Sequence, residues 1–310
     1  MNLDLNFSSL PIVLPSPLQH LSSPSFSKNG VNIWVKRDDL IHPDISGNKW
    51  RKLKYNLLRA IDEGAKTIIT FGGAFSNHLA ATASICHDLN MRSVGLVPGE
   101  IDEKNPTIQF CRSKGMKLLA IPRGQYRDKM SCDNTLQMIS AFPHPFVIPE
   151  GGTNEDALRG VGEIWEELEQ QLDEIDYIFV ASGTGGTAAG LLKYCTTAVK
   201  VISIPVLKGN FMQDSIMQWN QPEKRDQLIC MEGYHFGGYA KSDAVLEQFM
   251  DEFQKESSLP LDYVYTGKAM YALMDLIDKN YFPKGVKIVF LHTGGLQGNK
   301  GKAYLDEKKK

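Results

Sequence analysis

The chain has 310 residues, 42% of them apolar and 23% charged, with 34 basic side chains set against 36 acidic ones for a formal charge of −2. These are the proportions of a globular protein long enough for two domains of roughly 150 residues each. They give no electrostatic footprint for nucleic acid, the only cationic run being Lys308-Lys309-Lys310, and no stretch approaches the ~18 uninterrupted apolar residues of a membrane span.

The first 30 residues lack a cationic start followed by an apolar core and a cleavage site; Leu10-Pro-Ile-Val-Leu-Pro-Ser-Pro17 is broken by prolines. The chain is therefore expected to be unprocessed and cytoplasmic. Ser46-Gly-Asn-Lys-Trp-Arg-Lys-Leu-Lys-Tyr55 then sets Lys49 just behind a Gly-Asn turn where a helix starts. The helix dipole and the crowding cations Arg51, Lys52 and Lys54 disfavour the ammonium form of Lys49, leaving an amine of the kind that holds carbonyl cofactors. The competing reading is a solvated cationic helix start.

Beyond this turn, β-branched runs alternate with amphipathic stretches at intervals of roughly 25 residues, the rhythm of βα units in a parallel sheet. Strands are predicted at Thr67 to Phe71, Ser93 to Val97, Lys117 to Ile121, Phe146 to Ile148, Tyr177 to Ala181, Val199 to Val206, Leu228 to Met231 and Lys287 to Leu291. Helices are predicted at Asn77 to Leu89, Thr107 to Ser113, Asn154 to Leu172, Gly186 to Tyr194, Ser242 to Lys255 and Gly267 to Asn280. The alternation makes the fold α/β, with helices on both sheet faces. Ligands of open parallel sheets bind outside the carboxyl ends of strands. Four such ends are chemically unusual: Phe71-Gly-Gly-Ala-Phe-Ser-Asn-His78, Ala181-Ser-Gly-Thr-Gly-Gly-Thr187, Glu232-Gly-Tyr-His-Phe-Gly-Gly-Tyr239 and His292-Thr-Gly-Gly295. The five cysteines, Cys86, Cys111, Cys132, Cys195 and Cys230, form no CxxC pair, and their odd number rules out complete internal pairing, as suits a reducing compartment.

Gly183, Thr184, Gly185, Gly186 and Thr187 offer backbone N–H groups, hydroxyls and a helix dipole to an anion. A plain strand-to-helix turn is the alternative. Gly183-Thr-Gly-Gly-Thr-Ala188 also fits a dinucleotide G-x-G-x-x-G/A pattern, but the required acid about 20 residues on is missing: the next strand ends in Val206-Leu207-Lys208. A Walker-type site fits less well still, because no lysine follows the loop at the GK[ST] position.

With Lys49 behind Gly47-Asn48, Ser76-Asn77-His78 after a strand and the glycine-threonine loop, the chain resembles the 1-aminocyclopropane-1-carboxylate (ACC) deaminase/D-cysteine desulfhydrase family. These are pyridoxal phosphate (PLP) enzymes of fold type II, the tryptophan synthase β group. The resemblance runs from Pro15-Ser-Pro-Leu18 through Val35-Lys-Arg-Asp-Asp39 to His292-Thr-Gly-Gly295. It implies two three-layer α/β/α domains with the cofactor in the cleft between them: a large one from residues 1–51 and 166–310, and a small one, 52–165, carrying the Ser76-Asn77-His78 loop. It further implies that Lys49 carries PLP and acts as base, that Gly183 to Thr187 hold the phosphate, and that Asn77 lies beside the ring. Ser76 and Tyr265 are then catalytic, His78 and Tyr239 approach a small amino-acid substrate, and the protein is a homodimer.

Family deaminases carry a Tyr-Glu pair ahead of Gly-Lys, whereas this chain reads Tyr265-Thr-Gly-Lys268. A glutamate keeps the pyridine nitrogen protonated; Thr266 and Thr293 are expected to leave it hydrogen-bonded and neutral. A neutral ring supports β-elimination, in which the departing group takes the electrons. D-cysteine desulfhydrase-like chemistry, giving pyruvate, ammonia and sulfide, is therefore favoured over ACC deamination to 2-oxobutyrate. A PLP-binding protein without turnover is the alternative from another functional class.

Overall fold

Parallel strands covered by helices on both sides are buried on both faces, so their sequences run apolar instead of alternating. Thr67–Phe71, buried at all five positions, is such a strand. The computed structural model describes Phe7, residues 10–45 and residues 47–308; Ser46 and the last two residues of the Lys308–Lys310 run lie outside it. In chain order the elements are β1 (Leu18–His20), β2 (Asn32–Lys36), α1 (Asn48–Asp62), β3 (Thr67–Phe71), α2 (Asn77–Asp88), β4 (Arg92–Pro98), α3 (Pro106–Ser113), β5 (Lys117–Ile121), α4 (Arg123–Asp128), α5 (Asp133–Ser140) and β6 (Pro145–Ile148). There follow α6 (Glu155–Gln171), β7 (Tyr177–Ser182), α7 (Gly186–Tyr194), β8 (Lys200–Pro205), α8 (Met212–Met217), β9 (Leu228–Cys230), α9 (Ala244–Ser257), α10 (Thr266–Asp278), β10 (Lys287–Leu291) and α11 (Gln297–Glu307).

The strands make two sheets, a six-stranded one ordered β1-β2-β10-β7-β8-β9 and a four-stranded one ordered β5-β4-β3-β6. Every pairing is parallel except β1 with β2. Along β7, Phe179 and Ala181 enter one apolar cluster with α10, while Ile178 and Val180 enter another with α6 and α7, so both faces of the larger sheet are covered. The predicted domain boundaries, after residues 51 and 165, fall inside α1 and α6, which pack against each other. No helix among the described residues is long and apolar enough to cross a membrane.

All eight predicted strands are present, with ends moved by one residue at most. β1, β2, the 123–140 helices, α8 and α11 are additions. Helix α11 is the instructive one, because Gly298 and Gly301 argue against a helix by propensity. Packing overrides propensity there: a Cβ at Gly301 would lie 2.7 Å from a ring carbon of Phe75.

Four elements meet at a buried ion cluster. Arg51 of α1 donates to Asp38 (Nη2 to Oδ1, 2.9 Å) and to Glu167 of α6 (Nη1 to Oε1, 2.6 Å). Lys36, at the end of β2, donates to Glu167 at 2.6 Å and to the Ser16 carbonyl at 2.7 Å. The side chains of Lys36, Asp38 and Arg51 are wholly inaccessible. Burial alone would raise the Glu167 carboxyl, yet Arg51 and Lys36 hold it below its usual range.

A carboxylate with a depressed folded-state pKa contributes stability that is present above its unfolded pKa and lost as pH falls through the folded value. Glu167→Ala is therefore expected to lower the unfolding free energy by about 3–5 kcal/mol at neutral pH, because it leaves buried Lys36 without its carboxylate and Arg51 with Asp38 but without Glu167. The deficit should narrow on acidification below about pH 4. Urea unfolding at several pH values measures it, and a loss below about 1 kcal/mol would contradict the account.

Candidate active site

The larger cluster of functional groups surrounds a cavity of about 400 Å³ lined by the carboxyl ends of strands from both sheets. Gly47 makes the entry turn. Its φ is +66°, and a Cβ there would lie 1.8 Å from the Thr293 carbonyl oxygen, so only glycine brings the start of α1 this close to the end of β10. Lys49, the second residue of α1, is thereby aimed into the cavity.

Burial lowers the Lys49 pKa to about 8, with buried Asp262 opposing the shift. This corrects the sequence argument, which relied on the helix dipole and on repulsion from neighbouring cations. Arg51 is neutralised by Asp38 and Glu167, and Lys54 by Glu163 at 2.6 Å. Desolvation is the dominant cause.

Lys52 is the residue that sequence reasoning did not single out. It is buried, lines the cavity and donates to the Gly151 carbonyl (3.1 Å) and Thr153 Oγ1 (3.2 Å); among the described residues no carboxylate pairs with it. Burial and the charge of Lys49 push its pKa well down. A Cβ at Gly186 would lie 2.9 Å from its Nζ and 2.3 Å from Thr153 Oγ1, so the first turn of α7 is pressed against this cation. Spacing held a signal: Lys52 follows Lys49 by three residues and shares its helix face.

Gly183, Thr184, Gly185, Gly186 and Thr187 all line the cavity. Gly185, at φ +78°, turns the chain into α7, leaving the N–H groups of the first turn without helical partners. Thr187 Oγ1 accepts from Asn48 Nδ2 at 2.9 Å, and Thr184 Oγ1 meets Thr153 Oγ1 at 3.0 Å. The loop is tied to the turns on either side of it.

Ser76, Asn77 and His78 also line the cavity. Ser76 caps α2, its Oγ accepting from Leu79 N at 3.2 Å, which leaves the hydroxyl proton free to donate. Capping and facing the cavity are thus compatible. Asn77 Oδ1 is buried without a hydrogen-bond partner among the described residues. His78 is buried, and burial followed by Lys49 and Lys52 pushes its pKa well down, so the ring is neutral. Thr70 Oγ1 donates to the Ile148 carbonyl at 2.8 Å and so accepts His78 Nε2–H, also at 2.8 Å, which assigns the tautomer.

Tyr265 and Tyr239 stand edge to face with ring centroids 6.2 Å apart, Tyr239 at the mouth with 45% of its surface exposed. Burial, then the charge of Tyr239, pushes the Tyr265 phenol well up, so it keeps its proton. Thr293 also lines the cavity, whereas Thr266 does not. The Thr266 hydroxyl donates to Asp262 Oδ1 at 2.8 Å, and its backbone N–H does the same. The expectation that Thr266 faces a pyridine nitrogen is corrected accordingly: its hydroxyl secures the first turn of α10. Asp262, fully buried, also accepts from the N–H groups of Val264 and Tyr265, both at 2.9 Å. Glu150, another lining residue, accepts from Tyr126 OH and Lys129 Nζ, both at 2.6 Å.

The family model for pyridoxal-phosphate dependent enzymes matches residues 10–294. The chain belongs to that family. A mitochondrial bifunctional D-cysteine desulfhydrase/1-aminocyclopropane-1-carboxylate deaminase of Arabidopsis thaliana is 32% identical over 92% of this chain and 77% of its own length, which places the chain in that branch of the PLP enzymes. An ACC deaminase homologue of known crystal structure superposes with a TM-score of 0.79, 28% identity and 98% coverage of both chains. A hydrogen sulfide-producing enzyme of Fusobacterium nucleatum shares the fold at a TM-score of 0.70, with 18% identity over 92% of this chain and 96% of its own.

The cavity suits PLP on its own features. A buried cation with no carboxylate partner among the described residues lies against a glycine-threonine loop at a helix N-terminus, one helical turn from an amine of lowered pKa. Competitive acetylation of the cofactor-free PLP enzyme is expected to label Lys49 with a midpoint near pH 8, since the neutral amine predominates above its pKa of about 8. A midpoint near the ~10.4 of an exposed lysine would show that burial does not tune it.

Proposed function

We propose that the chain is a PLP-dependent lyase that removes the β-substituent of a small D-amino acid, D-cysteine foremost, yielding pyruvate, ammonia and hydrogen sulfide. One observation carries the reading: a single cavity unites an amine of lowered pKa (Lys49), a hydroxyl with its proton free (Ser76), a protonated phenol (Tyr265) and a cation-backed loop (Lys52 with Gly183 to Thr187). The two sheets serve as the cores of two domains, residues 1–51 with 166–310 and residues 52–165, closing on that cavity. A homodimer in the cytoplasm is the corresponding biological unit.

When bound, PLP supplies an electron sink next to the substrate's Cα. Lys52 and the amides and hydroxyls of Gly183, Thr184, Gly185, Gly186 and Thr187 would hold its phosphate, Asn77 and Thr293 would lie beside its ring, and Lys49 would hold its carbonyl carbon until the substrate amine displaces Nζ. Lys49 Nζ, whose neutral form grows as pH rises towards about 8, takes the Cα proton, a role that typically contributes on the order of 10²–10⁴-fold. The Cβ–S bond then breaks with both electrons going to sulfur, which takes a proton from Tyr265. Ser76 and Asn77 bind the substrate carboxylate, and neutral His78 packs beside them without adding charge. Tyr239 closes the mouth. Water completes the balance: D-cysteine plus water gives pyruvate, ammonia and hydrogen sulfide.

Both acids on the cavity wall already have cations, Asp44 with Lys114 at 2.9 Å and Glu150 with Lys129 at 2.6 Å, so Thr293 offers a ring nitrogen a hydroxyl and not a free carboxylate. This favours β-elimination, where the leaving group carries off the electrons. ACC deamination is the second reading, supported by the bifunctional name of the Arabidopsis relative.

Incubation with D-cysteine, L-cysteine, ACC and D-serine is expected to give most keto acid, as pyruvate, from D-cysteine. Greater 2-oxobutyrate production from ACC would reverse the substrate choice, and activity on none would return the chain to cofactor binding without turnover. Lys49→Ala should abolish the visible absorbance of the bound cofactor and its trapping by borohydride. Lys52→Ala should weaken PLP binding at least about tenfold while leaving Lys49 trappable at saturating cofactor, as expected for the loss of a charged hydrogen bond.

A further inference from the structure

Lys268 is a wholly buried lysine outside the cavity. It sits in the first turn of α10, three residues after Tyr265, and among the described residues it pairs with no carboxylate. Its ammonium donates instead to two backbone carbonyls, His235 O and Gly238 O, both at 2.8 Å. Those carbonyls belong to the loop that delivers Tyr239.

That loop is conformationally costly. Gly233, Phe236, Gly237, Gly238 and Ala240 have φ of +96°, +50°, +89°, +115° and +52°, a left-handed geometry that Phe and Ala rarely adopt. Such a backbone persists only where surrounding contacts over-determine it. Besides Lys268, the contacts are Tyr234 OH to Asp275 Oδ2 at 2.6 Å, Gly238 N to His235 O at 3.0 Å, Lys241 N to Gly238 O at 3.2 Å, Gly237 N to His235 Nδ1 at 3.1 Å, and the rings of Tyr234 and Phe236 against Tyr271 and of Tyr239 against Tyr265. Among the described residues the Lys268 ammonium is the one charged side chain that holds the backbone of this loop, Asp275 taking only the Tyr234 hydroxyl, and a cation donating to two carbonyls is stronger than a neutral bond. A single helix turn thus holds both cavity tyrosines, Tyr265 directly and Tyr239 through the loop.

We propose that Lys268 is a positioning residue that locks the 233–240 loop and thereby sets Tyr239 over the substrate end of the cavity, controlling substrate binding without touching substrate or cofactor. The proposal rests on the amino-acid lyase reading above. It separates recognition from cofactor retention, because among the described residues no hydrogen bond joins Lys52 or the Gly183 to Thr187 loop to the loop that Lys268 holds.

The test compares the PLP-loaded Lys268→Met, Tyr239→Phe and double variants with wild type. Lys268→Met is expected to raise KM for D-cysteine on the order of tenfold, with a smaller fall in kcat and unchanged PLP affinity. Adding Tyr239→Phe should cause little further loss, because the tyrosine is already displaced. Amide hydrogen exchange should accelerate at 233–241 and stay at wild-type rates at 183–190. The exchange measurement needs no substrate, so it tests the loop even if the lyase reading fails. Gly238→Ala guards against a folding defect in the buried variant. Its Cβ would meet nothing nearer than Lys208 at 3.6 Å, so its only fault is the strained φ, and it should reproduce the KM increase with Lys268 intact. Unchanged loop exchange in Lys268→Met, full additivity with Tyr239→Phe, or parallel losses of PLP and substrate affinity would overturn the proposal.

Discussion

The position of Lys49 depends on the guanidinium of Arg51. Arg51 is buried between Asp38 and Glu167, so it pins the first turn of α1 to the end of β2 on one side and to α6 on the other. Lys36 and the Ser16 carbonyl close the same cluster. Buried ion pairs are weak evidence for net stability, since desolvation offsets much of their attraction, but breaking one is costly and their geometry is demanding. The cluster therefore acts mainly as a register device. With Gly47 wedged against Thr293, it leaves Lys49 one direction in which to point.

Burial then differentiates chemically identical side chains. Lys49, Lys52 and Lys268 all lie where desolvation lowers the amine pKa, and their partners decide their uses. Lys49 faces open cavity and is left as a nucleophile. Lys52 rests on Gly151 and Thr153 beside the α7 N-terminus, where an anion would complete its coordination. Lys268 spends its protons on two carbonyls and becomes a clamp. Lys36 and Lys54, each beside a glutamate, are structural ions.

Asp262 plays the matching acidic part. Four donors from residues 264–266 converge on its buried carboxylate, fixing the turn that presents Tyr265 and starts α10. That arrangement explains why Thr266 cannot be read as a ring-nitrogen partner from its place in Tyr265-Thr-Gly-Lys268. Its hydroxyl is consumed locally, and the hydroxyl on the cavity wall is that of Thr293.

The strands, the helix starts at Asn48, Asn77 and Gly186, and the glycine-threonine loop are written in local patterns: apolar runs, a capping serine, glycines at turns. The sequence by itself therefore determined the α/β class, eight of the ten strands described, and most of the side chains gathered around the cavity, Lys52 excepted. Helix α11 escaped because Gly301 serves a contact with Phe75, which lies more than two hundred residues earlier in the chain. The charge state of each lysine, the capture of Thr266 by Asp262, the tautomer of His78 and the hold of Lys268 on the Tyr239 loop belong to the tertiary structure alone. Each depends on which groups a side chain meets once water is excluded, and those groups come from distant parts of the chain.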